Sequence, residues 1–328
     1  MSTPRASHKT GFEIVLPATS ANLGPAFDTA AMAVRLHLRV RAWPAKKFSI
    51  TASGCDANAC GRTSDNLLLD TYREVLQAAS RGPVSLAINI ENQIPLGKGL
   101  GSSAAARLAG IALAVHFGKL RWPDERILAE AAEREQHGDN VAACWLGGVA
   151  LIHNGGVCSG GARNTDAKKN APSAFSLQLR AKWPLLLVVP EEPLSTEEAR
   201  AVLPSQYSRC DAVANVQSAM WLAAALAEGR PELLQHALQD RIHEPYRGSL
   251  CPLLAPLRSL AGQKGILGAV LSGAGPSVLV VLDPRISLAG TKRRIADFLR
   301  GRRLKAELLL TAIESRGASQ RRKVLARN

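Results

Sequence analysis

Residues 95–105 read PLGKGLGSSAA. Glycines stand at 97, 99 and 101 with Lys98 between the first two, and Ser102 and Ser103 lead into a run of small residues. A glycine-rich loop that opens a helix offers unbonded backbone N–H groups and a partial positive charge, which together suit an anion such as a nucleotide phosphate. Glycine allows the left-handed backbone and the close approach that such a cradle needs. A serine hydroxyl at the helix start caps the helix or ligates Mg2+. The spacing is neither GxxxxGK[ST], because Lys98 precedes Gly99, nor GxGxxG. On spacing alone, a tight turn ahead of a close-packed helix explains the stretch equally well.

Three further clusters carry polar chemistry. Glu135, His137, Asp139 and Asn140 fall within six positions where one helical stretch ends and another begins. Capping accounts for Asp139 or Asn140, but not for all four groups together. SANLGPAFD (20–28) places Asn22 and Asp28 in a turn between two apolar stretches. LSGAGPS (271–277) puts Gly273 and Gly275 in a turn between two more, where a plain hairpin is the simplest explanation.

The elements that must hold these groups can be read from periodicity. AVRLHLRVRA (33–42) alternates, with Val34, Leu36, Leu38 and Val40 on one face and Arg35, His37, Arg39 and Arg41 on a wet one, as in a half-buried strand. FEIVLP and VSLAINI (84–90) also read as strands. SDNLLLDTYREVLQAA predicts an amphipathic helix capped by Ser64 or Asp65. Residues 102–117 predict a buried helix, and 123–136 a helix opened by Pro123 and acids. Residues 154–174, rich in Gly, Asn, Ser and Lys, form the best linker candidate. Beyond it come a strand at 185–190, helices near 195–202, 208–228 and 231–239, a strand–turn–strand unit over 266–282, a helix near 287–300 and a strand near 304–312. Without a regular βαβ repeat, this predicts two α+β domains. Trp145, Trp183 and His116 read as core residues, and helix 208–228 as packing, at the substrate side or a dimer contact.

The chain has 328 residues, enough for two domains, and a formal charge of +14. Thirteen of its 41 Lys and Arg, but three of its 27 Asp and Glu, lie in residues 285–328, so the body is close to neutral. That pattern reads as a solvated basic helix and a frayed tail. With 4% aromatic residues, it does not describe a specific nucleic-acid surface. No apolar run approaches the ~18–20 residues of a membrane helix, and the N-terminus lacks the pattern of a signal peptide. The six scattered cysteines include no CxxC pair, which argues against a zinc site or disulfide framework and for a reducing cytoplasmic setting.

Together, PLGKGLGSSAAA, LSGAGPS, SANLGPAFD, HGDN (137–140), PEEPLSTEEARAVLP (190–204) and DRIHEPYR (240–247) resemble the GHMP kinases, most closely their homoserine-phosphorylating branch. The resemblance runs from about residue 12 to 318. It implies an α+β, two-domain GHMP kinase architecture: a ribosomal protein S5 domain 2-like, ATP-binding domain over 1–170, and a ferredoxin-like domain with a basic tail over 171–328. It implies ATP held by Pro95, Leu96, Gly97, Lys98, Gly99, Leu100, Gly101, Ser102, Ser103, Ala104 and Ala105, and Mg2+ ligated by Ser103 and Glu135. Asn22, Asp28, His137, Gly273 and Gly275 would line the substrate pocket with Asp139, and Ser277 would help shape its floor. Arg200 and Arg247 would bind a substrate carboxylate, with Arg241 a second candidate, and Asp28 would meet an ammonium.

The implied substrate is L-homoserine, in a cytoplasmic step of threonine biosynthesis, with a homodimer as the common assembly. A threonine- or mevalonate-type substrate is the alternative, and a non-catalytic binding protein on the same scaffold a more distant one. Two roles stay open at the hydroxyl: Asp139 as a base, or direct attack with Asn140 orienting the hydroxyl. The family's GFD is AFD here, so a left-handed backbone at Ala26 would be strained. Its HPDN is HGDN, which gives a looser turn at Gly138, and Arg35 stands where relatives often carry an acid.

Overall fold

The computed structural model describes residues 10–153 and 173–326. The first of its two sheets is built from β1 (Gly11–Ala21), β2 (Ala30–Pro44), β3 (Ser49–Gly54), β4 (Leu86–Asn92), β5 (Val149–His153), β6 (Ser173–Leu177) and, from the far end of the chain, β11 (Arg322–Leu325). β7 (Pro184–Pro190), β8 (Ile266–Leu271), β9 (Val278–Leu282) and β10 (Ala306–Ala312) form the second. Among the described residues, five α-helices precede β5: α1 (Ala57–Cys60), α2 (Leu67–Ala78), α3 (Ser102–Phe117), α4 (Asp124–Glu135) and α5 (Asp139–Leu146). Six follow β7: α6 (Thr196–Ala201), α7 (Arg209–Glu228), α8 (Leu234–Ala237), α9 (Glu244–Arg247), α10 (Leu254–Arg258) and α11 (Leu288–Gly301).

The first sheet runs β11-β1-β2-β4-β3, with β5 bonded to β2 and β6 to β5; β3 and β4 are parallel and the other pairs antiparallel. The second runs β10-β7-β9-β8, all antiparallel. Alternation shapes β2 and β4. Val34, Leu38 and Val40 of β2 are buried as expected. The opposite face is an ion-pair lattice rather than a plain wet surface. Lys323 of β11 and Arg39 and Arg41 of β2 all reach Glu13 of β1, and both arginines also reach Glu91 of β4. β7 is buried on both sides, which accounts for its unbroken apolar run. Leu185, Leu187 and Val189 enter the main core with Trp145 and Trp183, and Leu186 and Val188 enter a second core under α10 and α11. α3 packs close to α2: a Cβ on Gly110 would stand 2.4 Å from the Leu68 carbonyl oxygen.

Several details differ from the sequence expectations. The cap of α2 is Asn66, whose side chain accepts from the Leu69 N–H at 3.2 Å. Asp65 has a left-handed backbone (φ +51°) one position too early, so neither it nor Ser64 caps the helix. His116 is half-buried rather than enclosed, stacked on Phe12 with ring centres 4.6 Å apart. Most of the expected linker, residues 154–172, lies outside the described residues. Ser173 and Ala174 open β6, which bonds to the first sheet. No described helix is long and apolar enough to cross a membrane, and Cys55, Cys60, Cys144, Cys210 and Cys251 form no disulfide.

The basic end of the chain is not a frayed tail. Residues 322–325 pair antiparallel with β1, and Arg322 and Arg321 bond to Asp124 and Glu314. Lys323 reaches Glu13, whose carboxyl is pulled toward higher pKa by burial but is held below its ordinary value by Arg41 and Lys323. A carboxyl with a depressed pKa adds stability that is complete above its unfolded value near 4.5 and lost as pH falls through the folded one. Deleting residues 319–328 is therefore expected to cost on the order of 2 kcal/mol, roughly 4 °C in melting temperature. Turnover at low temperature should hold, because no residue of the cleft described below is removed. An unchanged melting temperature would contradict this docking.

Candidate active site

The loop at 97–103, the turn at 22–28, the corner at 137–140 and the turn at 273–275 converge on a cleft of about 220 Å3, closed by Arg200 and Arg247. Gly97, Gly99 and Gly101 all have left-handed backbone, with φ of +66°, +70° and +68°. A Cβ on Gly99 would lie 2.3 Å from the Ser272 carbonyl oxygen and 2.4 Å from that of Gly275; on Gly101 it would lie 1.9 Å from Thr19 Oγ1. The loop's carbonyls are taken up by the protein. Leu194 N donates to Gly97 O (3.1 Å), Ser272 Oγ to Gly99 O (2.8 Å) and Thr19 N to Leu100 O (3.0 Å). Ser102 and Ser103 then present the first turn of α3, whose N–H groups lack intrahelical partners, to the cleft.

The other loop residues go elsewhere. Lys98 turns away to donate to the Glu191 carbonyl and, with Pro95, lines an outer groove. Ala104 and Ala105 are buried in the core. Leu96 belongs to a neighbouring apolar slot of about 250 Å3, which includes Leu38, Leu68 and Ile90 and shares Ser102 and Ser103 with the cleft. Asn66 and Asn92 stand at its edge with their amides bonded to the surrounding backbone. Sequence reading missed this slot; buried asparagines at the ends of apolar elements were its only local sign.

Ser103 Oγ donates to Glu135 Oε2 at 2.9 Å, while Arg107, one turn along α3, holds Oε1 at 2.7 Å. The hydroxyl and carboxylate oxygens brought together at the start of α3 are hard donors of the kind Mg2+ takes, so this pair fits that ion. No group of three His, Cys, Asp or Glu among the described residues could hold a metal. The donor set suits a hard ion that also takes phosphate and water oxygens.

At the next corner Gly138 has φ −103°, which any residue adopts, and it precedes α5. Asp139 is buried; its Oδ1 accepts from Asn140 N at 2.7 Å and faces His137 Nδ1 at 3.3 Å. Burial alone would lower the His137 pKa, but Asp139 and Glu135 outweigh it and raise it. Asn140 Oδ1 accepts from the Thr19 hydroxyl at 2.6 Å, which fixes the amide's orientation. Thr19 was not singled out from sequence, where it looks like any strand threonine.

Asn22 lines the cleft as expected, yet both ends of its amide are engaged. Nδ2 donates to Gly273 O (2.8 Å), and Oδ1 accepts from Asp28 N (3.0 Å). The left-handed positions of this turn are Asn22, Leu23, Gly24 and Asp28, so Ala26 carries none of the strain expected of it. Arg200 clasps Asp28 with two bonds, Nη2 to Oδ1 at 2.7 Å and Nη1 to Oδ2 at 3.3 Å. Arg247 is buried; Nε donates to Ala199 O (2.8 Å), and Nη1 lies 3.2 Å from His243 Nδ1. Burial, reinforced by the charge of Arg200, pushes Arg247 down to about 10, still protonated at neutral pH. Both guanidinium carbons lie over the Phe27 ring, at 5.5 and 5.3 Å.

His243 Nε2 meets Gly24 O at 2.8 Å, so that nitrogen carries the proton and Nδ1 accepts from Arg247; burial keeps the ring neutral. Asp240, His243, Glu244 and Arg247 are all buried here, and their spacing is present in the sequence but not used there. Arg241 lies in the bend before α9. It is exposed, its backbone N–H donates to Asn215 Oδ1, and it does not line the cleft. Ser277 is buried behind the 273–275 turn.

A glycine loop at a helix start, a Ser–Glu oxygen pair and a pocket walled by two arginines and an aspartate are the parts a phosphotransferase uses. Residues 66–148 match the GHMP kinases N terminal domain, and residues 222–300 match the GHMP kinases C terminal domain. The homoserine kinase of Solibacter usitatus is 43% identical over 274 residues, 83% of this chain and 85% of that one. The homoserine kinase of Deinococcus radiodurans is 36% identical over 93% of this chain and 95% of its own. The crystal structure of homoserine kinase from Cytophaga hutchinsonii superposes with a TM-score of 0.76, at 24% identity, over 99% of this chain and 100% of that one, and so shares the two-domain fold. The chain belongs to the GHMP kinases, among the homoserine kinases. It is therefore a kinase that uses ATP on a small molecule.

Proposed function

We propose that this kinase transfers the γ-phosphoryl group of ATP to the side-chain hydroxyl of L-homoserine, giving O-phospho-L-homoserine for threonine synthesis in the cytoplasm. The observation that carries the reading is the trio Asp28, Arg200 and Arg247 lining the same cleft as Ser102 and Ser103 at the α3 N-terminus. A zwitterion with a hydroxyl two carbons away needs that set: forked donors for the carboxylate and one carboxylate for the ammonium. The nucleotide base occupies the apolar slot, and its phosphates cross Ser102 and Ser103 to the glycine loop.

Phosphoryl transfer asks mainly for alignment and charge neutralisation. Ser103 and Glu135 would hold Mg2+, which when bound offsets phosphate charge. The α3 amides and Gly97–Gly101 orient the phosphates. Asn140, locked by Thr19, orients the acceptor hydroxyl, and Asp139 stands beside it to take the proton. Comparing kcat/KM for L-homoserine, L-threonine, L-serine and mevalonate with ATP and Mg2+ tests the reading. Homoserine is expected to lead by at least about 100-fold; equal rates would contradict it.

We infer a homodimer as well. Val213, Val216, Met220 and Trp221 are exposed along one side of α7 with no charge among them. Such a stripe meets its own copy across a two-fold axis. Met220→Glu is expected to halve the mass seen in sedimentation, and an unchanged mass would refute this contact.

A further inference from the structure

Arg247 lines the cleft from a buried position, with 1% of its surface exposed. A guanidinium carries five N–H donors and no acceptor. Nε–H goes to Ala199 O (2.8 Å) and one N–H of Nη1 to His243 Nδ1 (3.2 Å), which leaves donors on both Nη atoms for a ligand. The carbonyl bond alone would let the planar group swing about the Nε–H···O line. The bond to His243 fixes the plane, and with it the direction of the remaining donors.

His243 is built to hold that direction. Its side chain is fully buried. Nε2 donates to Gly24 O at 2.8 Å, so Nδ1 is left as an acceptor, the only role a guanidinium N–H can use. The ring stacks on Phe27 with centres 5.3 Å apart, and the Arg247 guanidinium lies over the same Phe27 ring. Its backbone is anchored too: Asp240 Oδ2 accepts from His243 N at 2.9 Å and from Glu244 N at 2.7 Å, at the start of α9. The run Gly24 O–His243–Arg247–Ala199 O thus ties the turn that carries Asn22 and Asp28 to the helix that carries Arg200.

We propose that His243 is a positioning residue for the carboxylate end of the acceptor: from its base on Gly24 O, Nδ1 sets the angle at which Arg247 meets that carboxylate. His243 does not line the cleft and touches no reacting atom. It acts through Arg247, and so on acceptor binding and alignment rather than on the nucleotide. This rests on the homoserine reading above and adds a residue that serves it from behind the pocket wall.

The test is a double-mutant cycle read on both substrates. His243→Leu is expected to lower kcat/KM for L-homoserine by about 30-fold, chiefly through KM, with KM for ATP unchanged. His243→Gln, which keeps one acceptor and one donor, is expected to stay within about 5-fold of wild type. In an Arg247→Ala background, His243→Leu is expected to cost less than about 3-fold more, because the group it aims is gone. A full additional loss in that background, a parallel rise in KM for ATP, or a glutamine variant no better than leucine would overturn the proposal. A neutron crystal structure of the wild type keeps the test open should the leucine variant misfold. It is expected to show the imidazole proton on Nε2 and none on Nδ1; a proton on Nδ1 would overturn the proposal without touching the choice of substrate. Absence of homoserine turnover in the wild type would instead overturn the homoserine reading.

Discussion

Glu135→Ala is expected to lower Mg2+-dependent phosphoryl transfer by about 1,000-fold or more while leaving a folded protein. Glu135 is the last residue of α4, and its two oxygens are divided between Ser103 and Arg107. Removing it deletes one of two protein oxygens suited to the ion and leaves the Arg107 charge facing the phosphates in a geometry the loop does not control. The structural loss is small by comparison, because Arg107 is partly exposed and its charge does not need Glu135 to be solvated. Glu135→Gln separates the effects: it retains an acceptor for Arg107 but not the charge for the metal. Activity surviving in both variants would show that the metal is held elsewhere.

Gly99→Ala is expected to abolish ATP binding and to cost on the order of 3 kcal/mol of stability. Alanine at φ +70° is strained, and its Cβ would sit 2.3 and 2.4 Å from two backbone carbonyl oxygens that cannot swing aside as a side chain would. The 273–275 turn would have to retreat, taking with it Gly273 O, the anchor of Asn22. Gly82→Ala is the control, since a Cβ there meets nothing within 4 Å. Nucleotide titration by calorimetry and thermal melts of both variants check this. Normal ATP affinity in Gly99→Ala would mean that the loop does not hold the phosphates.

Much of this was legible in the sequence where the signal is local. The alternation in β2, the apolar runs of α3 and β7, and the glycine spacing each follow from short-range periodicity, and the elements lie within a few residues of expectation. The failures are non-local. The basic C-terminal residues look solvated because their acids, Glu13 and Asp124, lie some two to three hundred positions upstream. Arg241 and Arg247 are equivalent as letters; Arg247 is turned inward at the end of α9, while Arg241 lies in the exposed bend before that helix. Thr19 fixes the Asn140 amide across 121 positions. Ala26 looked strained because the turn's left-handed residues cannot be told apart by composition when Asn, Leu and Asp all adopt that backbone.

The most direct measurement is a crystal structure with L-homoserine and a non-hydrolysable ATP analogue bound together. The homoserine hydroxyl is expected beside Asn140 and in line with the γ-phosphate, the carboxylate on Arg200 and Arg247, the ammonium on Asp28, and the phosphates along Gly97–Ser103. Homoserine bound outside this cleft, or the triphosphate lying away from the glycine loop, would contradict the account.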